Sequence, residues 1–248
     1  MKKLLMFLMI VIPVTMLSAQ QQTQKENRNF RIPLIGEKAP SFTAEATTGT
    51  VNFPADFGRN WKVLFSHPQD FTPVCSSEIL ELANLQSEFD KLGVKLVVLS
   101  ADPLGTHNDW KKALETLNYK GRTPVKIKFP LVDDQNLVVS KMYGMIHAPS
   151  NTTRDVRGVF IIDPDNTIQA IYFYPNKVGR STDELIRTIT ALQLVAKDNV
   201  LTPGDWKAGN DVLIPYLPKA GDDKKVSTTN TGDIYNIAWF MTFKKLHN

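Results

Sequence analysis

Cys75 is the only cysteine among 248 residues, in the run His67-Pro68-Gln69-Asp70-Phe71-Thr72-Pro73-Val74-Cys75-Ser76-Ser77-Glu78. Sulfur is a strong nucleophile, but only as the thiolate. A short apolar stretch, Val63 to Phe65, leads into this run, and an amphipathic stretch starting near Pro73 leads out of it. Proline is pre-set for the first position of a helix. Cys75 therefore falls in a first helical turn, where unpaired N–H groups and the positive end of the helix dipole favour an anion. The spacing predicts one activated sulfur. A buried cysteine acting as a small hydrophobe is the duller account, and the polar, proline-bounded setting argues against it.

Other chemistries have less behind them. His67, His107, His147 and His247 share no flanking pattern. A Cys–His hydrolase would need one of them within hydrogen-bonding reach of Cys75, which spacing alone leaves open. One cysteine and scattered histidines give no ligand spacing, so neither a metal nor a cofactor is expected. A thiol redox sensor or holdase whose assembly follows Cys75 oxidation is the non-enzymatic alternative. Asn151-Thr152-Thr153 is a glycosylation sequon, which matters in a host that glycosylates exported chains.

The elements that must hold the sulfur read as an α/β domain. Trp61 to Ser66 and Val94 to Ser100 have the apolar content of buried strands. Between them Ile79, Leu82, Leu85, Phe89 and Leu92 recur at helical spacing and Gly93 ends the run. Thr106 is placed to cap a helix reaching Asn118, with Trp110, Ala113, Leu114 and Leu117 inward. Phe129 to Val132 reads as a short extended piece, followed by a helix from Asn136 to Tyr143. Val159–Ile162 and Thr167–Tyr174 flank the turn Asp163-Pro164-Asp165-Asn166, and a long helix spans Thr182 to Lys197. This alternation predicts a central sheet covered on both faces.

The ends differ from the middle. Lys2 and Lys3, the apolar run Leu4 to Leu17 and the small residues Ser18-Ala19 read as an export signal over 1–19. Cleavage there leaves no stable membrane span and lowers the formal charge from +4 by the two lysines lost. With no cluster of Lys and Arg among aromatics, nucleic acid is not expected as a partner. Residues 20–29 are polar and read as a disordered tether. The main domain is placed at 30–198 and a C-terminal extension at 199–248. The extension ends in the apolar patch Ile237-Ala238-Trp239-Phe240-Met241, which should pack on the main domain or on a second subunit, the subunit contact being preferred.

Pro68-x-x-x-Thr72-x-x-Cys75 resembles the peroxiredoxin active-site motif, and His67 to Glu78 is similar to the one-cysteine, peroxiredoxin 6 branch. The likeness continues through Phe129-to-Asp134, Arg157-to-Asp163, Gly179-to-Glu184, Leu192-Gln193-Leu194 and Thr202-to-Trp206, covering roughly residues 35 to 216. It implies a thioredoxin-like fold and a thiol peroxidase that reduces hydrogen peroxide and organic hydroperoxides. By resemblance Cys75 is the nucleophile, Thr72 bonds the thiolate or peroxide, Arg157 sits beside both and Pro68 shields the sulfur. Glu78 would orient Arg157 or simply favour the helix start. Arg180 would add a second positive charge or form a surface salt bridge, and His67 would position the site.

With no second cysteine in the chain, the sulfenic acid must be reduced by an external thiol or redoxin-type protein, and over-oxidation is a hazard. The apolar patch of the extension points to a homodimer or higher homo-oligomer, and the signal implies a periplasmic or secreted location. Two departures stand out. The serine and histidine on which a phospholipase activity of this branch rests are missing from Phe53 to Trp61, so no such activity is expected. Residues 217–248 do not follow the family pattern.

Overall fold

The computed structural model describes residues 31–216, 219 and 232–247. The expected signal and tether thus lie outside the described residues. A short hairpin of β1 (Phe42–Ala44) and β2 (Val51–Phe53) precedes β3 (Trp61–Ser66), α1 (Pro73–Asn84), α2 (Gln86–Lys91) and β4 (Val94–Ser100). Then come α3 (Leu104–Leu114), β5 (Leu131–Asp133), α4 (Val138–Met142), β6 (Arg157–Ile162), β7 (Ile168–Tyr174) and α5 (Thr182–Asp198). The last strands are β8 (Val212–Leu213), β9 (Ile234–Ala238) and β10 (Met241–Lys244).

The central sheet runs β5-β4-β3-β6-β7, with β3, β4 and β5 parallel and β6 and β7 antiparallel to their neighbours. Successive side chains of a strand point to opposite faces, and the apolar runs use both. Val63, Phe65, Leu96, Val98, Val159 and Ile161 enter one core with Ile79 and Leu82 of α1, Trp110 of α3 and Ile189 of α5. Leu64, Val97, Leu99, Phe160 and Ile162 enter the other, under Phe42, Phe53, Val139 and Tyr143. Continuous hydrophobicity in these strands is therefore explained by burial on both sides.

Three expected boundaries shift. The amphipathic run from Ile79 to Leu92 breaks at Leu85, and Gly93 takes a positive φ of 65° just after α2. The third helix starts at Leu104 behind Pro103, so Thr106 lies inside it and caps nothing. The helix expected over Asn136 to Tyr143 shortens to α4, because Leu137 takes a left-handed conformation at φ 56°. None of the described helices is long and apolar enough to cross a membrane.

The C-terminal strands form a separate sheet, β8-β10-β9. Trp206, Val200 and Val212 pack with Ala191 of α5, and Leu194 and Leu246 join them, so the extension is seated on the main domain. Its far hairpin leaves Ile237 and Phe240 exposed.

Candidate active site

The site lies where the end of β3 and the start of β6 meet. The parallel strand β3 delivers Ser66 and then residues 67–72 at its carboxyl end, the side on which open α/β sheets carry ligands. β6 runs antiparallel to β3, with Val159 opposite Phe65, so its first residue, Arg157, arrives at that same edge. Sequence distance between Arg157 and Cys75 is thus cancelled by strand direction. Phe71 has φ 55°, rare for a bulky residue, and its backbone turns the chain from the strand exit into the helix. Thr72 then occupies the extended N-cap position and Pro73 the first helical one, which puts Cys75 in the first turn of α1.

Cys75 is fully buried, and its hydrogen bond comes from Arg157, with Nη1 3.4 Å from Sγ. The same Nη1 donates to Glu78 Oε2 at 2.6 Å, while Nε and Nη2 both donate to the Asn176 carbonyl at 3.0 and 2.6 Å. Arg180 closes on Glu78 from the other side: its backbone N–H and Nε donate to Oε1 and its Nη2 to Oε2, each at 2.8 Å. Its guanidinium stacks on the Phe65 ring, 3.3 Å from the centroid. Burial alone would push the Glu78 carboxyl up, but the hydrogen bonds and charge of Arg180, with the charge of Arg157, hold it below the usual carboxylate range. Two buried guanidinium groups therefore face one buried carboxylate. The surplus is one positive charge, and the Cys75 sulfur is hydrogen-bonded to one of the two guanidinium groups that carry it.

Arg157 is buried, and Arg180 is not part of a surface salt bridge, since their side chains are only 3% and 5% exposed. Glu78 accepts from both instead of merely favouring the helix start. Thr72, for its part, makes no side-chain cap. Its hydroxyl donates to the Gln69 carbonyl at 2.8 Å, and no hydrogen bond joins it to Cys75. With its one hydrogen used, the Thr72 oxygen can only accept from a substrate. Pro68 is buried in the loop ahead of the sulfur.

His67 is buried against Trp110 and bonded through Nε2 to Asp70 Oδ1 at 2.8 Å, while His107 Nδ1 holds Asp70 Oδ2 at 2.7 Å. Burial pushes His67 down, against the pull of Asp70, so it is neutral. Asp70 would be raised by burial, yet the bonds from His107 and His67 bring it lower, so it is the acceptor of both rings. Neither histidine hydrogen-bonds Cys75, so the geometry a Cys–His hydrolase needs is not formed by these two. His67, Asp70 and Asp102 also lie close enough together to share an ion, but they are already engaged in the hydrogen bonds just described and in one from the Asp70 N–H to Asp102. Asp70, His107, Asp102 and the Asn176 carbonyl were missed by sequence reasoning. Asp70 stood inside the motif without a role, and a backbone carbonyl leaves no mark on a sequence.

The kinship of the chain agrees with this arrangement. Residues 35–171 match the AhpC/TSA family and residues 191–226 the C-terminal domain of 1-Cys peroxiredoxin. The chain belongs to the AhpC/TSA family. A peroxiredoxin of Methanosarcina mazei is 42% identical over 215 residues, which is 86% of this chain and 98% of the relative. Among solved structures, a yeast mitochondrial 1-Cys peroxiredoxin superposes with a TM-score of 0.74 at 36% identity, covering 87% of this chain and all of that one. A cysteine-to-serine mutant of the peroxiredoxin 6 of Arenicola marina gives 0.74 at 29% identity with the same coverage. The fold is thioredoxin-like with a C-terminal extension, and the chain is a thiol peroxidase acting through its single cysteine. A sensor without turnover is not favoured. The C-terminal match also runs through residues 217–226, ten positions into the stretch expected to depart from the family.

Proposed function

We propose that Cys75 reduces hydrogen peroxide and organic hydroperoxides with Arg157, Thr72 and Pro68 as its immediate partners. The observation that carries this reading is the buried surplus of positive charge 3.4 Å from the only thiol of the chain. The thiolate attacks the distal peroxide oxygen along the O–O axis. The S–O bond forms as the O–O bond breaks, its electron pair leaves on the departing oxygen, and that oxygen takes a proton to become water or an alcohol. Arg157 stabilises charge on the sulfur first and on the departing oxygen later, and its fixed donors suit both. Thr72 accepts from the peroxide O–H. Pro68 keeps bulk water from the sulfur. Glu78 and Arg180 are positioning residues that hold Arg157, and His67 helps to hold the loop through Asp70.

The sulfenic acid is returned to the thiol by an external reductant. A yeast 1-Cys relative is described as resolved through glutathione and thioredoxin systems, which supports a small thiol or a redoxin-type protein for this chain. Export by the 1–19 signal, giving a periplasmic or secreted enzyme, is supported by the basic start and apolar run alone. A homodimer or higher homo-oligomer is supported by the exposed Ile237 and Phe240 of the C-terminal hairpin.

Cys75→Ser should abolish peroxide consumption while circular dichroism stays native. Mass spectrometry of the wild type after one equivalent of peroxide should show a single added oxygen, trapped on Cys75. Undiminished consumption by Cys75→Ser would overturn the reading.

A further inference from the structure

Residues 67–72, which carry Pro68 and Thr72 into position ahead of the sulfur, are anchored from outside by His107 Nδ1, 2.7 Å from Asp70 Oδ2, and by two backbone N–H groups. The His67 N–H donates to the Leu99 carbonyl and the Asp70 N–H to Asp102 Oδ2 at 2.8 Å. A further anchor comes from the segment leading into β6. There Arg154 Nη1 lies 3.4 Å from the Pro68 carbonyl oxygen and 3.6 Å from Asp102 Oδ1. One guanidinium thus holds the loop at Pro68 directly and at Asp70 through the Asp102 carboxylate, which Ser100 Oγ steadies at 3.0 Å. Arg154 stands three residues before Arg157. The one segment grips both the sulfur and the loop that leads into its helix.

We propose that Arg154 is a positioning residue for the peroxide site, acting through the Pro68 carbonyl and the Asp102 carboxylate to keep the loop seated over Cys75. Its role differs from that of Arg157, whose nitrogens are spent on Cys75, Glu78 and Asn176. The Arg154 side chain is one-third exposed and its contacts are long, so its hold is weak and its removal should loosen the loop without unfolding the domain.

Loosening acts in opposite senses on two reactions of the same sulfur. Peroxide attack needs alignment and should slow. A bulky reagent is excluded by the seated loop, because Cys75 has no exposed surface, and should react faster. The inference rests on the peroxidatic role of Cys75 for its first arm only; labelling of the thiol is independent of it.

The test compares the full chain with Arg154→Ala, Arg154→Lys, Asp102→Asn and the double variant Arg154→Ala/Asp102→Asn. Three rates are read at equal folded fraction: hydrogen peroxide in stopped flow, methyl methanethiosulfonate as a small thiol reagent, and a pyrene maleimide as a bulky one. The ratio of bulky to small labelling removes any general change in thiolate reactivity. For Arg154→Ala that ratio should rise by about 3–10-fold while the peroxide rate falls by a similar factor, with Arg154→Lys between it and wild type. The double variant should shift the ratio less than the two single shifts combined, since the pair acts as one unit. An unchanged ratio in Arg154→Ala, or fully additive effects in the double variant, would overturn the proposal. If Arg154→Ala fails to fold, Arg154→Lys decides by the same ratio.

Discussion

Glu78 and Asp155 are both buried carboxyls near the sheet edge that carries the sulfur, and they are in opposite electrical states. Glu78 receives hydrogen bonds from two guanidinium groups and is held below the usual carboxylate range in spite of its burial. Asp155, two residues before Arg157, has no exposed surface and no hydrogen-bond partner on either oxygen. Burial pushes Asp155 well above the carboxylate range against a pull from Ser140, whose hydroxyl donates to Asp134, and the charges of Asp134 and Asp102 act in the same sense as burial. The difference shows that burial does not set the charge of a group at this edge; the partners it is buried with do. One acid is an anion that orients the catalytic arginine, and the other is a neutral filler.

The largest break in the comparison comes from Glu78→Gln. It leaves two buried guanidinium groups without their carboxylate, so urea unfolding should show a loss of about 3–5 kcal/mol. The peroxide rate should fall with it as Arg157 loses its orientation. Asp155→Asn should do the reverse, since a neutral amide replaces an acid that must bind a proton on folding. At pH 7 it should stabilise the protein by on the order of 1–2 kcal/mol, read from the same unfolding curve.

The pH dependence sharpens the contrast further. Glu78 has a folded pKa below its ordinary value, so its contribution is complete above about pH 4.5 and is lost as pH falls through the depressed folded value. Asp155 has a folded pKa above its ordinary value, so its contribution is complete below about pH 3.8 and is lost as pH rises toward the elevated one. The wild-type difference from Glu78→Gln should therefore shrink in acid, and that from Asp155→Asn should shrink there too, but with the opposite sign. Unfolding curves between pH 3 and pH 8 check both. The smallest effect is expected where a charge pair lies in water. Arg59 and Asp165 are 79% and 65% exposed, so Arg59→Ala should move Tm by no more than about 2 °C.

Much of the fold was legible because period and burial coincide. β3 and β4 read as buried strands because every residue from Val63 to Phe65 and from Leu96 to Leu99 enters one of two cores. The helix start at Pro73 was legible because proline, unlike most residues, states its backbone angle. Helix ends were less so. Leu85 and Leu137 are good helix formers by type, yet they take non-helical backbone angles, φ −98° and 56°, that residue type does not announce. Thr106 had the chemistry of a cap but not the position, because Pro103 begins the helix three residues earlier. Local preference is a fraction of a kilocalorie and tertiary contacts outweigh it.

By itself, the sequence determined that one sulfur stands in the first turn of a helix, with a proline ahead of it and no second thiol to pair with. These are properties of neighbours in the chain, and local backbone chemistry is enough to state them. Only the tertiary structure decided what charge surrounds that sulfur. The antiparallel course of β6 brings Arg157 across 82 positions to Cys75, and the start of α5 brings Arg180 across 102 to Glu78. Neither separation has a signature in composition or period. Electrostatic environment is a sum over whatever the fold brings within a few ångströms, so it exists only once the chain has closed on itself.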